Sequence, residues 1–378
     1  MKKIFLGFTI LLLSISFYPV KAMEKTADIL KKNIVTEGDG LYVDSTIDGR
    51  YIYKGANPNN YIKLGDDLYR IISLEKDGTI KVIKKDSIGN KAWDKENARY
   101  STNSDDFCTS KYGCKSWGSS ITTLDSAGNN VTQMPWEVNG TLKNLPDKEA
   151  SLNTYLNNDF YNSLSDEVKS LVVEKEWNIG PTAYNQTNLS ESIKEESIYK
   201  WKGKVALMNA TDYVKSSTNS ACTSVNAYWN ASSCYNNSST HNYLFSNNDP
   251  WTVSPGASSH ANYVFCVSGV GDLYSNYASN SGYGVRPALY LSAKTTLSGE
   301  GSEADPYKVE KYVEEVKEEP KAEENNIDKN EVKVDNAQVV EVPSTSAQMS
   351  IIIASIGIIF VSLAVIITKK MTKKEINK

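Results

Sequence analysis

Short apolar runs broken by Gly, Asn, Asp and Pro dominate the first third of the chain after its N-terminal segment. Leu41-Tyr42-Val43 and Arg50-Tyr51-Ile52-Tyr53 are β-rich, and 61–64, 68–74 and 79–84 continue the series. Asn57-Pro58-Asn59-Asn60 reads as a turn. Asp77-Gly78 joins two such runs and predicts a tight hairpin, because these residues accept the positive φ that the turn needs. A spacing near 3.6 residues takes over at 148–157, where Leu152, Tyr155 and Leu156 form an apolar stripe behind a capping Asp147. Further helices are predicted over 165–174 and 188–199, and residues 23–35 form a mixed helical segment. Val205 to Met208 predicts a strand, with Asn209 capping a helical turn after it. Strands return at 251–253, 263–267, 273–274 and 285–291. No repeat of fixed period is present. The pattern predicts an α+β fold of short antiparallel strands, a few helices and extensive Asn/Ser/Gly loops. Loops in that proportion commonly carry a binding surface on a rigid scaffold.

The two ends follow different rules. Lys2 and Lys3 precede an apolar run from Ile4 to Phe17, and Val20-Lys21-Ala22 offers slim residues for cleavage, so residues 1–22 read as a signal peptide. Residues 349–368 carry no charge and are long enough for a transmembrane helix, and Lys369, Lys370, Lys373, Lys374 and Lys378 follow. Residues 309–348 read as an acidic disordered stalk: between Glu310 and Asp335 stand ten acidic residues and five Lys. The expected organisation is signal peptide, exterior domain at 23–308, stalk, membrane helix and a basic cytoplasmic tail at 369–378. The expected location is the cell membrane, single-pass, with the N-terminal domain outside. Val342-Pro343-Ser344-Thr345-Ser346 resembles the Leu-Pro-x-Thr-Gly sorting signal of Gram-positive wall proteins at Pro343 and Thr345. It lacks the Gly, so covalent attachment to the wall stands as the alternative to a plain anchor.

Composition narrows the chemistry. A net charge of −4 gives no reason for a nucleic-acid partner, and two His are few for a metalloenzyme or an ordinary acid–base catalyst. Five Cys contain no Cys-x-x-Cys. Cys108 and Cys114 flank one polar loop and Cys222 and Cys234 another, so each pair is a candidate disulfide. Cys266 in Val264-Phe265-Cys266-Val267 reads as a buried apolar residue. His241 and His260 read as solvated loop residues. Arg286 reads as structural, with Asp272 as its candidate partner. No cofactor and no metal site is expected.

Several blocks carry a resemblance: Gly55-Ala56-Asn57-Pro58-Asn59-Asn60-Tyr61, Leu68-Tyr69-Arg70-Ile71-Ile72, Ala150-Ser151-Leu152-Asn153-Thr154-Tyr155-Leu156, Trp251-Thr252-Val253-Ser254-Pro255, and above all Gly284-Val285-Arg286-Pro287-Ala288-Leu289-Tyr290-Leu291. Together they resemble an uncharacterised domain of exported Gram-positive proteins. Its closing strands are similar to the C-type-lectin-like fold shared with formylglycine-generating enzymes. The resemblance spans residues 40–308 and implies a C-type-lectin-like domain without bringing an agreed activity. The late cysteine pair that holds copper in those enzymes is not matched, since only Cys266 falls in that region. The Glu-Pro-Asn calcium motif of true lectins is absent.

Residues 258–283 contain six Ser, three Asn and four Tyr among 26 positions. Tyr offers large amphipathic contact at low entropy cost, and Ser and Asn offer adaptable hydrogen bonds. The candidate ligand-binding residues are Trp251, Tyr263, Tyr274, Asn276, Tyr277 and Tyr283, on one exposed face. The functional expectation is a membrane-anchored surface protein that binds a glycan or protein ligand. A cell-envelope enzyme on the same fold and a passive structural protein are the alternatives. A binding protein would show loss of binding on changes at that face, an enzyme a deep pocket of converging titratable groups, and a passive protein no ligand in any screen.

Overall fold

The Asp77-Gly78 turn forms as its residues dictate. Gly78 takes φ +83°, its N–H donates to Glu75 O at 2.9 Å, and Asp77 Oδ1 accepts from the Thr79 N–H at 3.0 Å. The structure is a computed structural model. It describes residues 23–95, 116–118, 149–183, 186, 188–225, 232–256 and 263–312, with the backbone of short strands between 108 and 143. The turn joins strands Asp67–Leu74 and Ile80–Lys84 at the centre of a ten-stranded sheet. Along its main path the sheet runs Val172–Val173, Ala288–Leu291, Ile80–Lys84, Asp67–Leu74, Tyr61–Leu64, Tyr307–Lys311, Thr295–Ser298. Gly40–Val43 and Tyr51–Lys54 join through Asp67–Leu74, and Val205–Ala206 through Ala288–Leu291. One pairing, Tyr307–Lys311 on Tyr61–Leu64, is parallel.

Tyr69 to Leu74 is buried without alternation, so both faces of the central strand are covered. A continuous apolar run is the pattern such a strand requires. The register shifts between Ile71 and Ser73, which leaves Ile72 as a bulge and places Ser73 opposite Lys81. Bulges bend a strand and increase its twist, and the sheet curls into a half-barrel. Five tryptophans extend the core: Trp93 lies 5.1 Å from Trp117, Trp117 lies 6.2 Å from Trp201, and Trp177 lies 4.7 Å from Tyr290. Trp251 is also fully buried, its Nε1 donating to Lys91 O.

The fold differs from the α+β, C-type-lectin-like expectation. Among the described residues it is mainly β, with 21 strands and seven short α-helical segments. The helix expected over 148–157 is α-helical only at Ser151–Tyr155 before passing into a π-turn at Leu156–Phe160. The one expected over 165–174 stops at Leu171, because the β-branched pair Val172–Val173 takes the sheet edge opposite Leu291 and Tyr290. Strands Lys175–Asn178 and Tyr199–Gly203 lack an alternation clear enough to be predicted, yet they pair as a ribbon. The strand expected over 285–291 begins at Ala288 rather than Val285. Pro287, just before it, has no N–H to give a ladder.

The longest α-helix among the described residues, Leu189–Ile198, has ten residues and spans about 15 Å, half a hydrocarbon core. No helix among the described residues is long and apolar enough to cross a membrane. The expected single-pass anchor, and the cell-membrane location that rests on it, therefore find no support in any described helix. Residues 1–22 and 313–378, and with them the signal peptide, the Pro343/Thr345 motif and the 349–368 span, lie outside the described residues. The final strand runs to Lys311, so the folded domain continues past residue 308 into the segment read as stalk.

Candidate functional site

Three neighbouring strands of the sheet contribute Ser73, Lys81 and Tyr290 to a buried polar network. Lys81 sits between Ser73 and Tyr290 in a cross-strand row. Arg50 immediately precedes the Tyr51–Lys54 strand. Asp212 lies in the first turn of the Ala210–Lys215 helix, where it and Asn209 form a reciprocal capping box. Asn209 thus caps the helix as its residue type predicts.

The network is dense and balanced. Lys81 Nζ donates to Asp212 Oδ2 at 2.6 Å and to Asn209 Oδ1 at 3.1 Å. It also lies 5.1 Å from the Trp177 ring centroid and 5.8 Å from that of Tyr290. Arg50 Nη2 donates to Asp212 Oδ1 at 3.0 Å and to Ser73 Oγ at 3.1 Å. Its Nε is 3.2 Å from Glu75 Oε1 but off the line of a hydrogen bond. Lys215 pairs with Asp44, which also accepts from Thr46. Three cations, Arg50, Lys81 and Lys215, therefore meet three carboxylates, Asp44, Glu75 and Asp212. Burial opposes charge on Asp212, but Lys81 and Arg50 outweigh it and hold the carboxyl well below the usual range. Burial, reinforced by Arg50, brings Lys215 down to about 8 against the pull of Asp44.

Glu196 lies beside this network. It is 1 % exposed and pairs with no cation among the described residues. Its carboxylate accepts from Ser254 Oγ at 2.5 Å, from the Thr211 N–H at 3.3 Å and from the Thr211 hydroxyl. Burial pushes it up to about 7; the Ser254 and Thr211 hydrogen bonds oppose the rise and the Asp212 charge adds to it.

Arg50, Lys81, Asp212 and Tyr290 form the floor of a cleft of about 460 Å³. One wall comes from the Lys175–Asn178 and Tyr199–Gly203 ribbon. Glu176 faces Lys202 and Asn178 faces Lys200 across it, while Trp177 and Trp201 occupy the opposite face. Thr211 and Ile193 close the far side. The arrangement can offer ammonium, carboxylate, amide and hydroxyl groups to a polar ligand from fixed positions. Among the described residues no group of three or more His, Cys, Asp or Glu could hold a metal ion.

The six expected ligand-binding residues lie elsewhere, on and around the three-stranded sheet Trp251–Pro255, Tyr263–Val267, Leu273–Tyr277. They do not form one exposed face. Cross-strand pairing puts Trp251, Cys266, Tyr274 and Asn276 on one side and Tyr263 and Tyr277 on the other. Trp251 and Tyr283 are buried, stacked with centroids 4.3 Å apart, and the Tyr283 hydroxyl accepts from Tyr274 and from Asn276 Nδ2. Tyr263 and Tyr277 pack edge-to-face at 4.6 Å and are half-buried. Tyr263, Tyr274, Asn276, Tyr277 and Tyr283 thus largely pack against one another and Trp251 around a small sheet.

Cys222 and Cys234 are joined by a disulfide, their Cα atoms 4.6 Å apart. The backbone sets Cys108 opposite Cys114, and their side chains lie outside the described residues. Cys266 is a buried free thiol. His241 shares a hydrogen bond with Ser217 Oγ at 2.7 Å, and His260 lies outside the described residues. Arg286 is buried without Asp272: it donates to Lys84 O at 3.0 Å and to Leu244 O at 2.8 Å. None of Arg50, Lys81, Asp212 and Glu196 stands out in the sequence. A Lys between Ile80 and Val82 in a buried strand is the one local signal that a polar partner must exist.

The profile of a domain of unknown function (DUF6273) matches residues 138–293. No curated protein and no solved structure matches the chain. The matched stretch contains Asp212, Tyr290 and the ribbon wall, while Arg50, Glu75 and Lys81 precede it.

Proposed function

We propose that this protein is a binding protein and that a hydroxyl-rich, glycan-type ligand occupies the cleft between the sheet and the Lys175–Asn178 ribbon. The observation that carries the reading is the preformed cleft: about 460 Å³, polar on floor and walls, its floor locked by ion pairs. Sugar hydroxyls pair well with carboxylate, amide and ammonium groups. Groups already fixed in direction lose little entropy when they bind.

The test is a glycan array probed with the full chain, followed by titration of any hit against two variants. Lys200→Ala with Glu176→Ala alters the wall and leaves the buried floor intact, and it should weaken binding by about tenfold, roughly 1.4 kcal/mol. Tyr263→Ala with Tyr277→Ala should leave binding unchanged. A hit that survives the first change and is lost with the second would place the ligand on the hairpin and refute the cleft.

A further inference from the structure

A second cavity, of about 560 Å³, lies against the other end of the sheet, where the N-terminal helix, the Gly40–Val43 strand, the Asn57–Asn59 turn and the Gly299–Glu300 loop meet. Its lining differs in kind from that of the cleft. Half-buried Ile29 and Val35 make an apolar wall, backed by the buried Leu41 and Pro58. The charged groups that line it are two carboxylates, Asp39 and Glu300, and neither Lys nor Arg is among its residues. Arg70 lies outside the lining, where it donates to Pro58 O and Asn60 and stacks 3.6 Å from the Tyr61 ring centroid, and Asp39 is one of several charges acting on it.

Both carboxylates are presented by the backbone around them. Asp39 Oδ1 accepts from the Ala56 N–H at 3.2 Å and Oδ2 from the Asn57 N–H at 2.7 Å. Its approach is so close that a Cβ at Gly55 would stand 2.0 Å from Oδ1, and only glycine fits there. Each oxygen keeps a further lone pair for a ligand. Glu300 sits between Gly299 and Gly301 in a turn closed by its own N–H on Asp305 O, and its side chain has no hydrogen bond or ion pair among the described residues. Tyr307, at the back, is hydrogen-bonded to Tyr53 and Asn33.

We infer that this cavity binds a primary alkylammonium group, the ammonium on Asp39 and Glu300 and the alkyl chain along Ile29 and Val35. With no Lys or Arg on the cavity wall, the two carboxylates call for a cation, and the apolar wall calls for one that carries methylenes rather than a hydrated inorganic ion. The same chemistry is offered by a free diamine and by a lysine side chain of a peptide.

The experiment uses the full chain, titrated by calorimetry with 1,5-diaminopentane, with Nα-acetyl-lysine amide and with 1-pentanol. At least one amine should saturate, and pentanol should bind about tenfold more weakly or not at all. Preference for the diamine identifies a small-molecule site, and preference for the lysine amide a peptide site. Glu300→Gln should weaken the amine by about threefold and Asp39→Asn with Glu300→Gln by about tenfold or more. Glu300→Gln touches no partner of the fold and should keep the unfolding midpoint, so it tests the site even if Asp39→Asn loosens the turn at Gly55. Absence of saturation by both amines, equal binding of pentanol, or full affinity in Glu300→Gln overturns the inference.

Discussion

Replacing Asp212 by Asn is the sharpest probe of the buried network. The amide keeps the shape of the side chain but removes one of the three carboxylates that balance Arg50, Lys81 and Lys215. Asp212 accepts from Lys81 at 2.6 Å, from Arg50 at 3.0 Å and from the Asn209 N–H at 3.0 Å. The amide retains one acceptor oxygen and turns a second position from acceptor to donor toward a cation. Lys81 and Arg50 then keep a net positive charge that is largely shielded from water. Breaking a buried pair on one side costs about 3–5 kcal/mol, because the surviving charge stays desolvated. With an m-value of about 3 kcal/mol/M for a domain of this size, the urea midpoint should fall by roughly 1–2 M. The assay is urea unfolding followed by tryptophan fluorescence, to which the buried Trp177 beside Lys81 is well placed to report. Combining Asp212→Asn with Lys81→Met should cost less than the sum of the two by about 1–3 kcal/mol. The exposed pair Lys76–Asp48 supplies the contrast: Asp48→Asn should leave the midpoint unchanged. A fall of less than about 1 kcal/mol in Asp212→Asn, or strict additivity with Lys81→Met, would refute the picture of a mutually dependent charge network.

Other expectations follow from single sites. Glu196 has its folded pKa raised to about 7 from an ordinary 4.5, so its contribution to stability is complete below about 4.5 and is lost as pH rises through about 7. Unfolding titrations across pH 4–8 should show that decline, and Glu196→Gln should flatten it; an unchanged slope would place the titration elsewhere. Removing the Cys222–Cys234 disulfide, which closes a separation of 12 residues, should cost about 2–3 kcal/mol in thermal or denaturant unfolding. Tyr283→Phe deletes the hydroxyl that accepts from Tyr274 and Asn276 and should cost about 1–2 kcal/mol, without changing any ligand affinity of the cleft.

Local physics makes some of this protein legible in its residues. The Asp77-Gly78 hairpin, the short strands between 41 and 84 and the Asn209 cap all rest on neighbours a few residues apart, so composition and alternation suffice to place them. The helices at 151–155 and 166–171 are also visible, but not their ends, since Val172 and Val173 leave the helix for a strand more than a hundred residues away in sequence. Tertiary structure alone decides that the fold is mainly β. Tyr199–Gly203 and Lys175–Asn178 become strands because each finds the other, not because either alternates cleanly.

The same limit applies to function. A Tyr-, Ser- and Asn-rich stretch has the composition of a binding face, yet strand pairing turns its side chains to both sides of a small sheet and packs Tyr283 on Trp251. The cleft joins Arg50 and Lys81 to Asp212 across separations of 162 and 131 residues. A charge in a strand announces only that it must be compensated, and its partner is chosen by the chain's path through space. Propensity is a property of a segment and is written along the sequence. Pairing of distant charges, burial of a face and the shape of a cavity belong to the assembled sheet, and they exist only once it has closed.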